Sequence, residues 1–314
     1  MSTRYILQRL FFALFVIVGV TFVTFMIVQL VPGDPARVSL GVQATDELVE
    51  SRRERLGLNR PLMEQYATWL YNLTRGDLGY SLITGQPITP QIVNRLPVTL
   101  QLAGLAITVG VLIAFPLGFI SATRPGSVID VIASFISQIG IAVPDFWMGI
   151  LLVLLFSTTL GWLPPSGYTP ITEDFGDWLS HMILPALTTG MISGAILTRF
   201  VRSAMLEVMG QNYIQTARAK GLRERTVILR HALRNALITI VTVVGLQMTA
   251  LIGSVVVIEI VFSLQGLGNL VLDAVLDRDY TLLQGAVFVV AVLVTFINLT
   301  IDLLYYLLDP RIEY

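Results

Sequence analysis

The chain contains no cysteine and a single lysine among its 314 residues. Without cysteine it has no disulfide, no thiol nucleophile and no cysteine-ligated metal. The one lysine, Lys220, is followed by Gly221. A nucleotide-binding P-loop needs the pattern G-x-x-x-x-G-K-[ST], in which the lysine reaches the phosphates and the hydroxyl holds magnesium. That pattern is absent, so a process here that consumes ATP requires another chain to bind it.

Charge is also scarce. Charged residues make up 13% of the chain and hydrophobic residues 54%, and the mean hydropathy is +0.76. Soluble domains carry charge on roughly 25% of their residues, so this composition predicts a membrane protein. The net charge of −1 and the pI of about 6.1 are not those of a nucleic-acid-binding chain.

Long apolar stretches recur along the sequence. A helix needs roughly 20 apolar residues to cross the hydrocarbon core of a bilayer. Five stretches predict spans: 10–31, 96–122, 182–198, 236–258 and 280–301, the last continuing through Asp302 to Leu308. A further stretch, 128–160, is interrupted by Pro144–Asp145 and fits either one kinked span or two short ones.

The distribution of arginine chooses between these alternatives. The loop 163–181 has acidic residues and no Arg or Lys, whereas the loop 199–234 is rich in Arg. One kinked span places the basic loop in the cytoplasm, as the positive-inside rule requires, and two spans would reverse it. We therefore predict an all-α polytopic protein with six transmembrane helices and both termini cytoplasmic. The first apolar run is too long for a signal peptide and is expected to remain as an anchor.

This topology divides the chain into three parts. Residues 1–31 are the N-terminus and first anchor, 32–95 form an external segment, and 96–314 form a five-helix core with a cytoplasmic loop at 199–235. In the external segment, Pro61 predicts the start of a helix and Gly76 its end. That segment is either a cap packed on the outer ends of the spans or a docking surface for an external partner.

The basic loop carries the strongest local pattern, NYIQTARAKGLRERTVILRHALRNA at 212–236. Tyr213, Ile214 and Ala217 share a helical face, and Gly221 is typical of a helix C-terminal stop. Small residues allow another backbone to approach closely, while Arg218 and Lys220 can hold acidic groups. From spacing alone two interpretations stay open: a solvated basic connector, or a surface that a cytoplasmic partner grips.

The strings YIQTARAKGL and RHALRNA resemble the cytoplasmic loop of inner-membrane permeases of ABC importers, in the dipeptide and oligopeptide class. The loop motif of those permeases, E-A-A-x-x-x-G, falls at Gln215, Thr216, Ala217 and Gly221, with Gln replacing Glu and Thr replacing the first Ala. Other strings resemble the same class in order along the chain: LVPGDPA, LGLNRPLMEQY, RGDLGYS, GQPITPQIVNRLPVTLQLA, IEIVFSLQGLGNL, DRDYTLLQGAV and LLDPRIEY.

The resemblance implies a type I ABC importer permease in the bacterial or archaeal inner membrane, surrounded by lipid and not itself an enzyme. Two permease subunits, identical or homologous, frame a path for peptides or similar small solutes. An external solute-binding protein delivers the solute, and two cytoplasmic ATPases bind ATP and magnesium, so no cofactor is expected in this chain. The coupling helix implied for the ATPases comprises Tyr213, Ile214, Gln215, Thr216, Ala217, Arg218, Ala219, Lys220, Gly221 and Leu222.

The resemblance also implies an external gate or turn with Phe262, Gly266, Leu267 and Gly268. Asp145, beside the predicted kink, is a candidate for the translocation path, because charges inside spans are often functional; a structural role is the alternative. A self-sufficient ion-coupled transporter or channel is the competing class, and an intramembrane aspartyl protease is a remote one. His181 and His231 fall on opposite sides of the membrane, so no metal site is predicted.

Overall fold

The computed structural model describes residues 3–31, 33–41 and 44–308, and this part of the chain is almost entirely helical. Thirteen α-helices occur within it: α1 Thr3–Leu30, α2 Pro35–Leu40, α3 Asp46–Leu56, α4 Leu62–Thr74, α5 Ile88–Thr123, α6 Val128–Ala142, α7 Asp145–Leu152, α8 Phe175–Met209, α9 Asn212–Ala219, α10 Glu224–Thr226, α11 Leu233–Val261, α12 Leu267–Leu276 and α13 Tyr280–Leu308. π-helical segments, Val153–Thr159 and Val227–Ala232, follow α7 and α10. The predicted all-α class is confirmed.

Five of the described helical runs are long and apolar enough to cross a membrane. They contain α1, α5, α8, α11 and α13, and α11 is extended at its start by α10 and the π-helical segment. Each of the five predicted spans coincides with one of them, and the first extends one residue past Leu30. The pair formed by α6 and α7 passes the same test when its two parts are taken together, as a broken span or a re-entrant loop would, and counted as one span it brings the total to six.

The α6–α7 pair is broken rather than kinked. The axes of the two parts differ by 105°, and the break lies at Val143 and Pro144. Pro144 restricts the residue before it to extended backbone, and Val143 has φ −87° and ψ 126°. The sequence therefore predicted the position of the interruption correctly and underestimated the bend, because a proline kink within a continuous helix is far smaller.

The described residues divide into two compact units. The first unit contains the described parts of Met1–Val98 together with Gln265–Phe296. The helix predicted to start after Pro61 is α4, and the backbone at Gly76, two residues beyond its end, has φ +75°. The ring of Tyr66 on α4 lies 5.5 Å from that of Phe22 and 5.4 Å from that of Phe25. The segment after the first span therefore packs on that span, as the cap interpretation predicts.

The second unit contains Thr99–Leu264 and the described part of Ile297–Tyr314. Here α5 and α8 approach closely at glycines. A Cβ on Gly190 would lie 2.6 Å from the Cβ of Val109 and 2.9 Å from the carbonyl oxygen of Ala106. Small residues at such crossings let helix backbones come together, which drives helix packing in membranes. The predicted division into 1–31, 32–95 and 96–314 follows membrane sides and stays a prediction.

Candidate functional site

The short helix α9 lies in the basic loop between α8 and α11 and carries the predicted coupling residues. Its two inward side chains, Ile214 and Ala217, are 0% and 8% exposed. They are three residues apart and therefore on one face of the helix. That face packs in an apolar cluster whose other buried members are Ala122, Val201, Ala204, Met205, Val227, Ala232, Ala236 and Ile240. We call these ten residues the loop cluster; it joins α9 to α8 and to α11.

The end of α9 is set by Gly221. Its φ is +75°, a left-handed conformation that costs most other residues free energy. The N–H of Gly221 donates to the carbonyl of Arg218 at 2.9 Å, and the N–H of Leu222 reaches the carbonyl of Ala217 at 3.4 Å. A Cβ built at this position meets no described atom within 4 Å. Within this chain, the left-handed backbone conformation is therefore the reason for a glycine at position 221. The predicted helix stop is found where it was expected.

Two polar contacts fix the orientation of α9 from its sides. Arg218 donates to Glu224 across the Gly221 turn, with an Nη2–Oε1 distance of 2.7 Å. This hydrogen bond raises the pKa of Arg218, which is charged in any case. Because the two side chains are 39% and 53% exposed, the pair adds little stability and chiefly holds the turn in place. On the other side, Asn235 of α11 donates its Nδ2 to the Tyr213 hydroxyl at 2.8 Å.

The outward face of α9 is small and polar. Gln215, Thr216 and Ala219 are exposed, as are the other predicted coupling residues apart from Ile214 and Ala217: Tyr213, Arg218, Lys220, Gly221 and Leu222. Sequence reasoning grouped Ile214 and Ala217 with the residues that face a partner. The structure instead uses both to attach the helix to its own chain, and leaves the small side chains and their cationic rim available.

Near the loop cluster lies an ion pair that sequence reasoning missed. Arg202 of α8 binds Asp130 of α6 through two contacts, Nε–Oδ1 at 2.7 Å and Nη2–Oδ2 at 2.9 Å. The sequence contained one indication of this pair. Asp130 is a carboxylate in an otherwise apolar stretch, where a charged side chain is rare without a partner. Among the charges in the apolar stretches, the sequence pointed to Asp145, and Asp130 was given no role.

The four residues predicted for the external gate or turn lie on either side of a turn at Ser263, and their role as a gate stays a prediction. Phe262 is 1% exposed, and a Cβ on Gly149 of α7 would lie 3.2 Å from its ring. The turn after α11 uses Ser263, at φ +52°, as its left-handed residue. Gly266 precedes α12, whose first residues, Leu267 and Gly268, are buried. The helix α12 was not predicted. Its ten residues are apolar but too few to cross a membrane, so they did not stand out beside the following span.

Asp145 is the first residue of α7, directly after the break in the third span. The residue is partly buried and lies beside Ser254 of α11, whose hydroxyl donates to the carbonyl of Leu251 at 3.1 Å. The aspartate therefore lies where α7 meets a neighbouring helix, and both its structural role and its place in a translocation path stay predictions.

Comparison with known proteins agrees with this architecture. A family model described as the binding-protein-dependent transport system inner membrane component matches residues 114–314. The model for the N-terminal part of such membrane components matches residues 2–103. A solved structure of the inward-facing MetNI methionine ABC transporter has a TM-score of 0.56 and 20% identity, covering 69% of this chain and 96% of that chain. At that identity the likeness shows a shared fold.

Sequence relatives extend over the whole chain. A putative peptide transport system permease protein of Brucella melitensis biotype 1 is 42% identical over 314 residues and covers 100% of both chains. The oligopeptide transport system permease protein AppB of Bacillus subtilis strain 168 is 40% identical over 313 residues, 99% of each chain. The chain therefore belongs to the family of binding-protein-dependent transport system inner membrane components, the multi-pass permeases of ABC importers.

Proposed function

We propose that this chain is a permease subunit of an ATP-driven importer for peptides or similar small solutes, and that a partner ATPase moves it by gripping α9. The single observation that carries the proposal is the two-sided build of α9. Ile214 and Ala217 are buried in the loop cluster, whereas Gln215, Thr216 and Ala219 are exposed. Peptides are the solute class named for the full-length relatives.

The loop cluster provides a mechanical path from α9 into the membrane. It contains Val201 and Met205 of α8 and Ala236 and Ile240 of α11, and both of these helices belong to membrane-spanning runs. Protein interiors are close-packed and transmit displacement with little compression. A push on the outward face of α9 is therefore passed to the two spans, and rearranging spans in this way is how hinged transporters alternate access.

The ATPase must be a separate chain. The sequence has one lysine, and its neighbours do not form a P-loop. We infer two ATPases, a second permease that is a copy or a homologue, and a solute-binding protein on the opposite side of the membrane. ATP binding closes the ATPases, draws the two α9 helices together and turns the permease pair outward to accept the solute.

The test is reconstitution of the complex with Gly221→Val and, separately, Ala219→Arg. Valine at φ +75° costs about 1–2 kcal/mol or more of local strain and adds bulk to the outward face. Ala219→Arg places a long side chain on that face. We expect both variants to insert normally, and to lose ATPase co-purification or to hydrolyse ATP without uptake.

Gly76→Val is the matched control. Gly76 also has φ +75° just after a helix, and a Cβ there also meets no described atom within 4 Å. It lies after α4, far along the chain from the basic loop, so it carries the same strain without altering α9. Normal uptake in both basic-loop variants would refute the proposed role of α9. Uptake that persists with a hydrolysis-deficient ATPase and follows an ion gradient would identify a secondary transporter.

A further inference from the structure

The side chain of Asp130 joins three parts of the second unit. Arg202 of α8 holds both of its carboxylate oxygens, and the Ser121 hydroxyl at the end of α5 donates to Oδ1. The N–H of Gly126, in the turn between α5 and α6, donates to Oδ2 at 2.9 Å. Asp130 is 6% exposed and Arg202 is 31% exposed. We call this group of four residues the Asp130 clasp.

On each of two helices, α8 and α5, a residue of the clasp is the chain neighbour of a residue of the loop cluster. On α8, Val201 belongs to the loop cluster and is the neighbour of Arg202. On α5, Ala122 belongs to the loop cluster and is the neighbour of Ser121. The part of α8 that supports α9 is therefore the part that holds the first turn of α6.

The contact between α6 and α8 continues along α6 after the clasp. A Cβ on Gly140 of α6 would lie 2.6 Å from the Cβ of Ala195 of α8. Ten residues separate Gly140 from Asp130, about 15 Å of helix at 1.5 Å per residue. Ala133 and Ser137, between them, are buried. Helix α6 is thus attached to α8 from its first turn almost to the break at Val143.

Beyond the break the contacts change. A Cβ on Gly149 of α7 would lie 3.2 Å from the Phe262 ring, directly after α11, and 3.4 Å from the Cγ2 of Thr188 of α8. The first half of the broken pair, α6, therefore packs on α8, whereas the second half, α7, packs on both α8 and α11 and the end of α11.

We propose that Asp130 and Arg202 are positioning residues that make α6 follow α8 when α9 is displaced, so that ATPase motion reaches α6 as well as α8. This inference rests on the proposed function. A bidentate pair between a guanidinium and a carboxylate fixes angle as well as distance. The clasp therefore holds the first turn of α6 in one register on α8, in addition to the close packing at Gly140.

Three variants test the proposal in the reconstituted complex: Asp130→Asn, Arg202→Lys, and the double variant Asp130→Leu/Arg202→Leu. The double variant removes both charges together, and such replacements are often neutral or stabilising for folding. Transport per ATP hydrolysed is measured for each assembled complex. We expect a drop of about tenfold in the double variant, within the usual range of coupling between sites, and smaller drops in the single variants. Hydrolysis itself continues because α9 is intact.

A distance measurement tests the same point directly. The chain has no cysteine, so spin labels can be placed at Val131→Cys on α6 and Glu207→Cys on α8, both exposed positions. In the otherwise unaltered chain we expect the distance between the labels to be the same in the nucleotide-free and the ATP-trapped complex. In the double variant we expect it to differ between the two states. Arg60→Ala is the matched control, because it breaks the exposed Arg60–Glu64 pair in the first unit.

Unchanged transport per ATP in assembled Asp130→Asn and double-variant complexes would overturn the inference. Loss of assembly in all three variants would also overturn it, because the clasp would then serve folding rather than coupling. The proposed function is tested separately: normal uptake by the Gly221→Val and Ala219→Arg complexes would refute the role of α9, and with it the present inference. If those two uncouple the complex and the clasp variants do not, only the present inference fails.

Discussion

The crossing of α5 and α8 gives a sharp prediction for Gly190→Ala. The added methyl carbon would lie 2.6 Å from the Cβ of Val109, whereas carbon atoms in contact prefer about 3.5–4.0 Å. It would also lie 2.9 Å from the carbonyl oxygen of Ala106. Since one of these atoms is backbone, rotating a side chain does not relieve the clash, and the two helices must separate locally.

The matched control is Gly104→Ala on α5, where a Cβ meets no described atom within 4 Å. Both substitutions gain the same helix propensity, up to about 1 kcal/mol, so this contribution cancels in the comparison. What remains is the cost of overpacking, typically about 1–3 kcal/mol. Gly104→Ala should therefore be as stable as the parent or more stable, and Gly190→Ala should be less stable than Gly104→Ala by that amount.

The assay is thermal denaturation of the purified protein in detergent, followed by fluorescence-detected size exclusion. With about 2–4 °C for each kcal/mol in proteins of 150–250 residues, the two variants should differ by several degrees. Gly118→Ala supplies an independent second site, because its Cβ would lie 2.7 Å from the Cβ of Val201. Equal melting temperatures for Gly190→Ala and Gly104→Ala would refute the argument that α5 and α8 pack through glycine.

Two further predictions concern topology and the first unit. A cysteine at Asp174 should react with an impermeant thiol reagent added outside intact cells and one at Glu224 should not; the reverse pattern would overturn the predicted orientation. Asp279 accepts hydrogen bonds from the N–H groups of Leu82 and Leu282, each at 3.1 Å. Asp279→Ala leaves both N–H donors unpaired, which costs about 1–3 kcal/mol of stability for each. Asp279→Asn keeps one side-chain oxygen as an acceptor, so limited proteolysis near residues 76–87 should be faster in Asp279→Ala than in Asp279→Asn. Equal cleavage would contradict this reasoning.

The parts of the fold that follow from composition were predictable. Spans appear as long apolar runs whatever they pack against, and Pro144 marks an interruption because it cannot continue the hydrogen bonding of the preceding turn. The size of the bend was not predictable, since it depends on which helices hold each half. Here α6 is held by α8 through Arg202 and Gly140, and α7 lies against both α8 and α11 at Gly149. Those contacts join residues far apart in the sequence.

The helix α9 shows the same limit at the scale of single residues. A short amphipathic helix in a loop has one apolar stripe, and the sequence does not state whether that stripe serves the chain itself or a partner. In α9 the stripe of Ile214 and Ala217 is used internally. The surface left for a partner is consequently the face with little hydrophobic character, Gln215, Thr216 and Ala219.

The burial of Ile214 and Ala217 explains how a helix of only eight residues can stay folded while a partner contacts it. Isolated helices of this length are not stable in water, so α9 depends on tertiary packing for its shape. Because Ile214 and Ala217 supply that packing from the side opposite the exposed face, a partner can engage and release α9 without unfolding it. In the proposed mechanism, Ile214 and Ala217 therefore carry the motion inward, and their small exposed neighbours contact the ATPase.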